Sequence, residues 1–326
     1  MNTNNEDAKN LNFPEDIIIR PEMTALYDQH LNLLEKDIEG YKNVGYRDIK
    51  LFKWLVFAFE NLGLSTVEEK YLNSLVILKT RFTIFEVMID DIVDNQDKRN
   101  LVLFEELLKI PFNSDKIETS KLTKKEIEYL EFTKLIWFKI TNELSKYPNY
   151  KKYKEAFEFD VYQMLNSMRY SRFVNTTPQA INLLENKIYV PHGMIILIQL
   201  DFDLMCSKGF DDNELGTFRE IAYLSQRLAK IGNLIATYPR ELLEYDMSSE
   251  AVIRFAKDYG FDFKFKLNKL LNKKNRYPDF EKELIDEWEK QYKIIKELAD
   301  KIKSIDMDRF MRERNFLQVI YKMRSY

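Results

Sequence analysis

Apolar residues recur every three or four positions, with charges between them, along most of the chain, as over 51–62 and 292–305. This is the period an amphipathic α-helix needs to bury one stripe and wet the other, so the pattern predicts helix nearly throughout. Strand alternation is sparse. Turn chemistry clusters at 40–45, 111–114, 147–150, 175–178, 208–213 and 275–278, dividing the chain into helices of roughly 12 to 30 residues, a length suited to a bundle. Three stretches, 72–89, 190–204 and 221–236, are apolar over most of their circumference and are expected at its centre. Two of these helices end in polar residues.

With 326 residues, 45% hydrophobic and 14% aromatic, the chain carries enough apolar material for a large core. Only 8 Gly and 8 Pro are present, with no linker-like stretch and no repeat. A single α-helical domain over 1–326 is expected, 1–14 being a flexible N-terminal segment. Lys+Arg 50 against Asp+Glu 53 leaves a formal charge of −3, which argues against nucleic acid as a partner, since backbone phosphates need a basic surface. The lone Cys206 excludes an intrachain disulfide. Residues 1–14 are polar and Asn-rich without an apolar signal core, and no uncharged run reaches about twenty residues. No transmembrane segment and a cytoplasmic location are expected.

The helix over 81–94 runs into Asp90, Asp91 and Asp94, a D-D-x-x-D pattern. Asp90 and Asp94 are one turn apart on one side, with Asp91 beside them. Carboxylates this close repel one another in a dry site unless a cation is shared. Hard divalent cations, Mg²⁺ above all, take oxygen ligands of this kind. The bland alternative is a solvated helix end continuing into Asp97, Lys98 and Arg99.

Asn233, Thr237 and Glu241 recur at intervals of four and place an amide oxygen, a hydroxyl and a carboxylate on one helix face, a second oxygen-donor site. Pro239 lies inside this pattern and removes the hydrogen bond to the Ile235 carbonyl. The alternative is a helix ending near Tyr238, with Glu241 in a new turn.

The two motifs together resemble the class I terpene synthases of microbial type, with their DDxxD motif in the first half and (N/D)DxxSxxxE triad in the second. Asp90, Asp91 and Asp94 match the first; Asn233, Thr237 and Glu241 match the second, Tyr238 and Arg240 also resembling common occupants. Leu234 departs from the usual Asp. The resemblance implies an all-α, single-domain bundle around a deep apolar cavity, Mg²⁺ as cofactor with three ions to a site, and catalysis by those six metal-binding residues. It implies a linear prenyl diphosphate as substrate, farnesyl or geranylgeranyl, and a homodimer as a common assembly. It also implies diphosphate contacts from Arg240, from an Arg–Tyr pair for which Arg324 and Tyr326 are the imperfect counterpart, and from an upstream sensor cation. Lys187 is the nearest candidate, with Arg169 and Arg172 as rivals.

Pro191 and Gly193 mark a break in an apolar helix, with Gly193 on the cavity. His192 between them is read as a core histidine. A carbocation must be kept from water, so aromatic and aliphatic walls are expected among Phe82, Phe85, Val87, Trp54, Phe57 and Phe59. The nearest rival is a prenyl diphosphate synthase or squalene-synthase-like condensing enzyme, which needs a second acidic site; Asp211, Asp212 and Glu214 are acidic but follow Gly209 in an expected loop. A non-catalytic helical scaffold is the rival from another class.

Overall fold

A 23-residue helix buried on almost every side organises the structure. The computed structural model describes residues 21–94, 100–262 and 277–313. In chain order its longer helices are α1 (Pro21–Val44), α2 (Lys50–Glu60), α3 (Leu72–Asp94), α4 (Leu101–Lys109), α5 (Lys124–Leu144), α6 (Tyr150–Thr176), α7 (Leu183–Tyr189), α8 (Ile196–Met205), α9 (Leu215–Glu244), α10 (Glu250–Tyr259) and α11 (Pro278–Ala299). Among the described residues there is no strand, and Val67 and Ser207 form an isolated bridge. The all-helical expectation is met.

α3 runs through the middle, against α1, α2, α5, α6 and α8. Leu78, Phe82, Ile84, Phe85, Met88 and Ile89 on it are fully buried, each worth about 1.5–3 kcal/mol of apolar transfer. Asp37 of α1, 1% exposed, accepts from Arg81 Nε of α3 at 2.7 Å and Lys139 Nζ of α5 at 2.5 Å, an ion triad tying three helices. A smaller core joins α9, α10 and α11 through Tyr238, Phe255, Phe280 and Leu284.

Local chemistry sets several boundaries. Asn100 caps α4 by accepting from the Val102 and Leu103 amides, and Thr123 with Glu126 closes a capping box on α5. The expected break at 40–45 comes later. α1 continues through Gly40 to Val44, and the glycine serves packing rather than a turn: α5 crosses closely there, and a Cβ would collide with the Phe132 ring. α9 runs unbroken through Pro239 to Glu244, which overturns the alternative of a helix ending near Tyr238.

The stretch 190–204 is two pieces: a 3₁₀ turn Val190–Met194 and then α8. The left-handed residue at the joint is Ile195, with φ 50°, rather than Gly193. A β-branched residue there is a genuine outlier, held by its surroundings. Among the described residues no single helix is long and apolar enough to cross a membrane; the segments on either side of this 42° bend pass that test only together.

Candidate functional site

A cavity of about 810 Å³ opens between α2, α3, α6, α8 and α9, with Phe310 and Met311 also lining it. α3 supplies Lys79, Thr83, Glu86, Val87, Asp90 and Asp91 to its wall. Those intervals of three, four and one trace a single stripe along the helix. Phe82 and Phe85 fall on another face. They are fully buried and cluster with Trp137, Phe157 and Phe202, so the expectation that they line the cavity is corrected: they are core. Val87 and Gly193 do line it, as do Trp54 and Phe59.

At the mouth, the first acidic face is held by a cation that sequence reasoning missed. Arg47, in the connection between α1 and α2, donates from Nε to Oδ1 of Asp91 at 2.5 Å and from Nη2 to Asp90. Tyr41 donates its hydroxyl to the other Asp91 oxygen at 2.8 Å. Asp91 is 4% exposed, and burial raises its carboxyl above the usual range although the Arg47 charge and the Tyr41 hydrogen bond pull it down. One turn below, Glu86 is pushed well up by burial and by the charge of Asp90. The Asp94 backbone completes α3, but its side chain lies outside the described residues.

The second face closes on itself. Thr237 Oγ1 donates to Glu241 Oε1 at 2.6 Å and lies 3.3 Å from Asn233 Oδ1, so the three donors converge across two turns of α9. Asn233 and Glu241 line the cavity. Ser249, the N-cap of α10, donates to the other Glu241 oxygen at 2.6 Å. Asp246 follows the left-handed Tyr245 and also reaches the wall, its carboxyl raised by burial and by Glu241. Arg240 is on the rim and pairs with Glu244 at 3.2 Å.

The expected sensor cations are elsewhere. Lys187 pairs with Glu287 at 2.6 Å and is off the cavity wall, Arg169 is exposed beside Asn166, and Arg172 pairs with Glu105 at 2.5 Å. Arg324 and Tyr326 lie outside the described residues. His192 is half-buried, its ring nitrogen 3.4 Å from the Gln226 amide and its pKa lowered by burial, consistent with a core histidine. Asp212 pairs with Lys152 and accepts from Tyr153, while Glu214 accepts from the backbone amides of Lys303 and Ser304; neither reaches the cavity.

No protein-family model, curated protein or solved structure matches this chain. Among the described residues no three His, Cys, Asp or Glu side chains sit at metal-ligating spacing. Asn and Thr oxygens also bind hard cations, and the all-oxygen set of Asn233, Thr237 and Glu241 suits one. Across the cavity, the position bridging Asp90 and Asp91 already accommodates the positive charge of Arg47. The residues present fit Mg²⁺.

Of the missed residues, Glu86 was within reach: it stands four before Asp90, on the same helix face. Arg47, Tyr41 and Ser249 come from other elements and carry no local signal.

Proposed function

We propose that this protein is a Mg²⁺-dependent class I terpene synthase that ionises a linear prenyl diphosphate. One observation carries the reading: Asp90 and Asp91 at the end of α3 and Asn233 and Glu241 of α9, the latter two joined through the Thr237 hydroxyl, line the same cavity. Mg²⁺ held by those two faces would neutralise charge on the leaving diphosphate and so ease scission of the allylic carbon–oxygen bond. Arg47 and Arg240 at the mouth carry the positive charge that a diphosphate attracts. Trp54, Leu55, Phe59, Val87 and Leu200 give the chain of the substrate an apolar wall, and aromatic faces stabilise cationic carbon. No protein nucleophile is required.

A condensing enzyme is less well supported, because Asp212 and Glu214, the acidic residues that would form its second site, are engaged away from the cavity. The test is incubation with geranyl, farnesyl and geranylgeranyl diphosphates, with and without Mg²⁺, reading diphosphate release and products by gas chromatography. Asp90→Ala and Asn233→Ala are expected to abolish Mg²⁺-dependent release while the helical circular dichroism persists. Turnover surviving both substitutions overturns the proposal, and a longer diphosphate formed with added isopentenyl diphosphate replaces it with chain elongation.

A further inference from the structure

The cavity floor is polar, which a chamber built only to keep water from a carbocation would not be. Lys79 stands three turns below Asp90 on the α3 stripe, about 16 Å deeper at 1.5 Å per residue. Its ammonium, 2% exposed, donates to the Leu62 carbonyl at 2.8 Å and pairs with Asp203 Oδ1 at 2.6 Å. Gln199 lies one turn before Asp203 on α8, so both side chains face α3. Its amide nitrogen is 3.4 Å from the Lys79 carbonyl, and its amide oxygen, fully buried, has no hydrogen-bond partner. Lys79, Gln199 and Asp203 all line the cavity, as do Thr83, Ser171 and Ser225, with Thr83 donating its hydroxyl to the Lys79 carbonyl at 3.0 Å.

A buried ion pair costs desolvation that its attraction only partly returns, and an orphaned buried amide oxygen costs about 1–3 kcal/mol. A hydrophobic contact would hold α3 to α8 without either cost. What these groups do offer is a place for a small hydroxylic molecule: an ordered buried water needs two to four polar partners, and such partners are gathered here.

Resting on the terpene-synthase reading, we propose that the Lys79–Gln199–Asp203 floor holds a water that captures the carbocation, so that the released product is a terpene alcohol. The water oxygen donates a lone pair to the cationic carbon and forms the new C–O bond. The resulting oxonium loses one proton to the Asp203 carboxylate, while Lys79 stays an ammonium and orients it. Gln199 accepts the other water hydrogen and fixes the angle of attack. Diphosphate leaves with the electron pair of the broken C–O bond, so no oxidant or reductant is needed.

The experiment is turnover of geranyl, farnesyl and geranylgeranyl diphosphates in H₂¹⁸O, with products read by gas chromatography–mass spectrometry against a protein-free control. An alcohol carrying one ¹⁸O, in excess of the control, is expected from the wild-type protein. Gln199→Leu is expected to lower the ratio of alcohol to hydrocarbon, normalised to diphosphate released, about tenfold, the loss of one hydrogen bond to a reacting group. Thr83→Val, on the wall rather than the floor, moves this ratio less. Diphosphate release with hydrocarbon products alone overturns the water-capture proposal and leaves the synthase reading standing. So does a labelled alcohol whose ratio is unmoved in a Gln199→Leu protein of wild-type circular dichroism. No diphosphate release from any substrate overturns both.

Discussion

Arg47 Nε lies 2.5 Å from Oδ1 of Asp91, across 44 positions of sequence, while the same guanidinium reaches Asp90. It stands where a metal-binding reading needs positive charge. Without it, a carboxylate that is 4% exposed would keep the Tyr41 hydroxyl as its hydrogen-bond donor but lose its cation.

Arg47→Met is therefore expected to destabilise the metal-free protein by about 1–3 kcal/mol, the penalty of a buried charged group stripped of its partner. Mg²⁺ with pyrophosphate should recover more of the melting temperature in this variant than in the wild type, because a ligand that binds the folded state adds stability. Thermal melts with and without Mg²⁺ and pyrophosphate check this; an unchanged metal-free melting temperature contradicts it.

The same cluster sets a pH dependence. Glu86, Asp91 and Asp246 all have carboxyls raised chiefly by burial. Between the unfolded value, near about 4, and the raised folded value, each of these groups is protonated to a greater extent in the folded protein than in the unfolded chain. Folded protein thus binds more protons, and stability is lost as pH climbs from the ordinary carboxyl range through the raised values. With EDTA present, the melting temperature should fall over the window that opens as pH climbs above the unfolded carboxyl range. Glu86→Gln should flatten that slope. A melting temperature that rises over the window contradicts the assignment.

How much of this was legible differs from residue to residue. Asp90 and Asp91 could be read because their spacing and the apolar run before them are local. The side of α3 that would face a cavity could not. A helix apolar nearly all round offers no moment to orient it, so Phe82 and Val87 looked alike until neighbouring helices separated core from wall. The break near Pro191 was legible from composition, yet the strained residue is Ile195, whose φ of 50° follows from tertiary packing that its β-branched side chain would not suggest. Arg47 and Ser249 reach their partners only through the fold.

Ser249 is the second support for the Glu241 carboxylate. Its hydroxyl fixes the Glu241 oxygen that Thr237 does not. Ser249→Ala should cost about 1 kcal/mol of stability and raise the Mg²⁺ concentration needed for half-maximal diphosphate release, with the maximal rate less affected. Ser249→Thr, which keeps the hydroxyl, should restore the Mg²⁺ requirement. An unshifted Mg²⁺ requirement in the alanine variant would make the contact purely structural.

Pro239 tests how much of the second face is owed to the helix and how much to its flaw. The proline cannot donate to the Ile235 carbonyl, yet α9 continues to Glu244 with Asn233, Thr237 and Glu241 still joined along one face. If regular helical spacing suffices to align them, Pro239→Ala supplies the missing donor and stabilises the protein by up to about 3 kcal/mol, the interior cost of proline. The stabilisation conferred by Mg²⁺ and pyrophosphate should then persist at its wild-type size. A more stable variant that has lost that increment would show that the bend at Pro239, rather than the four-residue period, brings Glu241 to its partners.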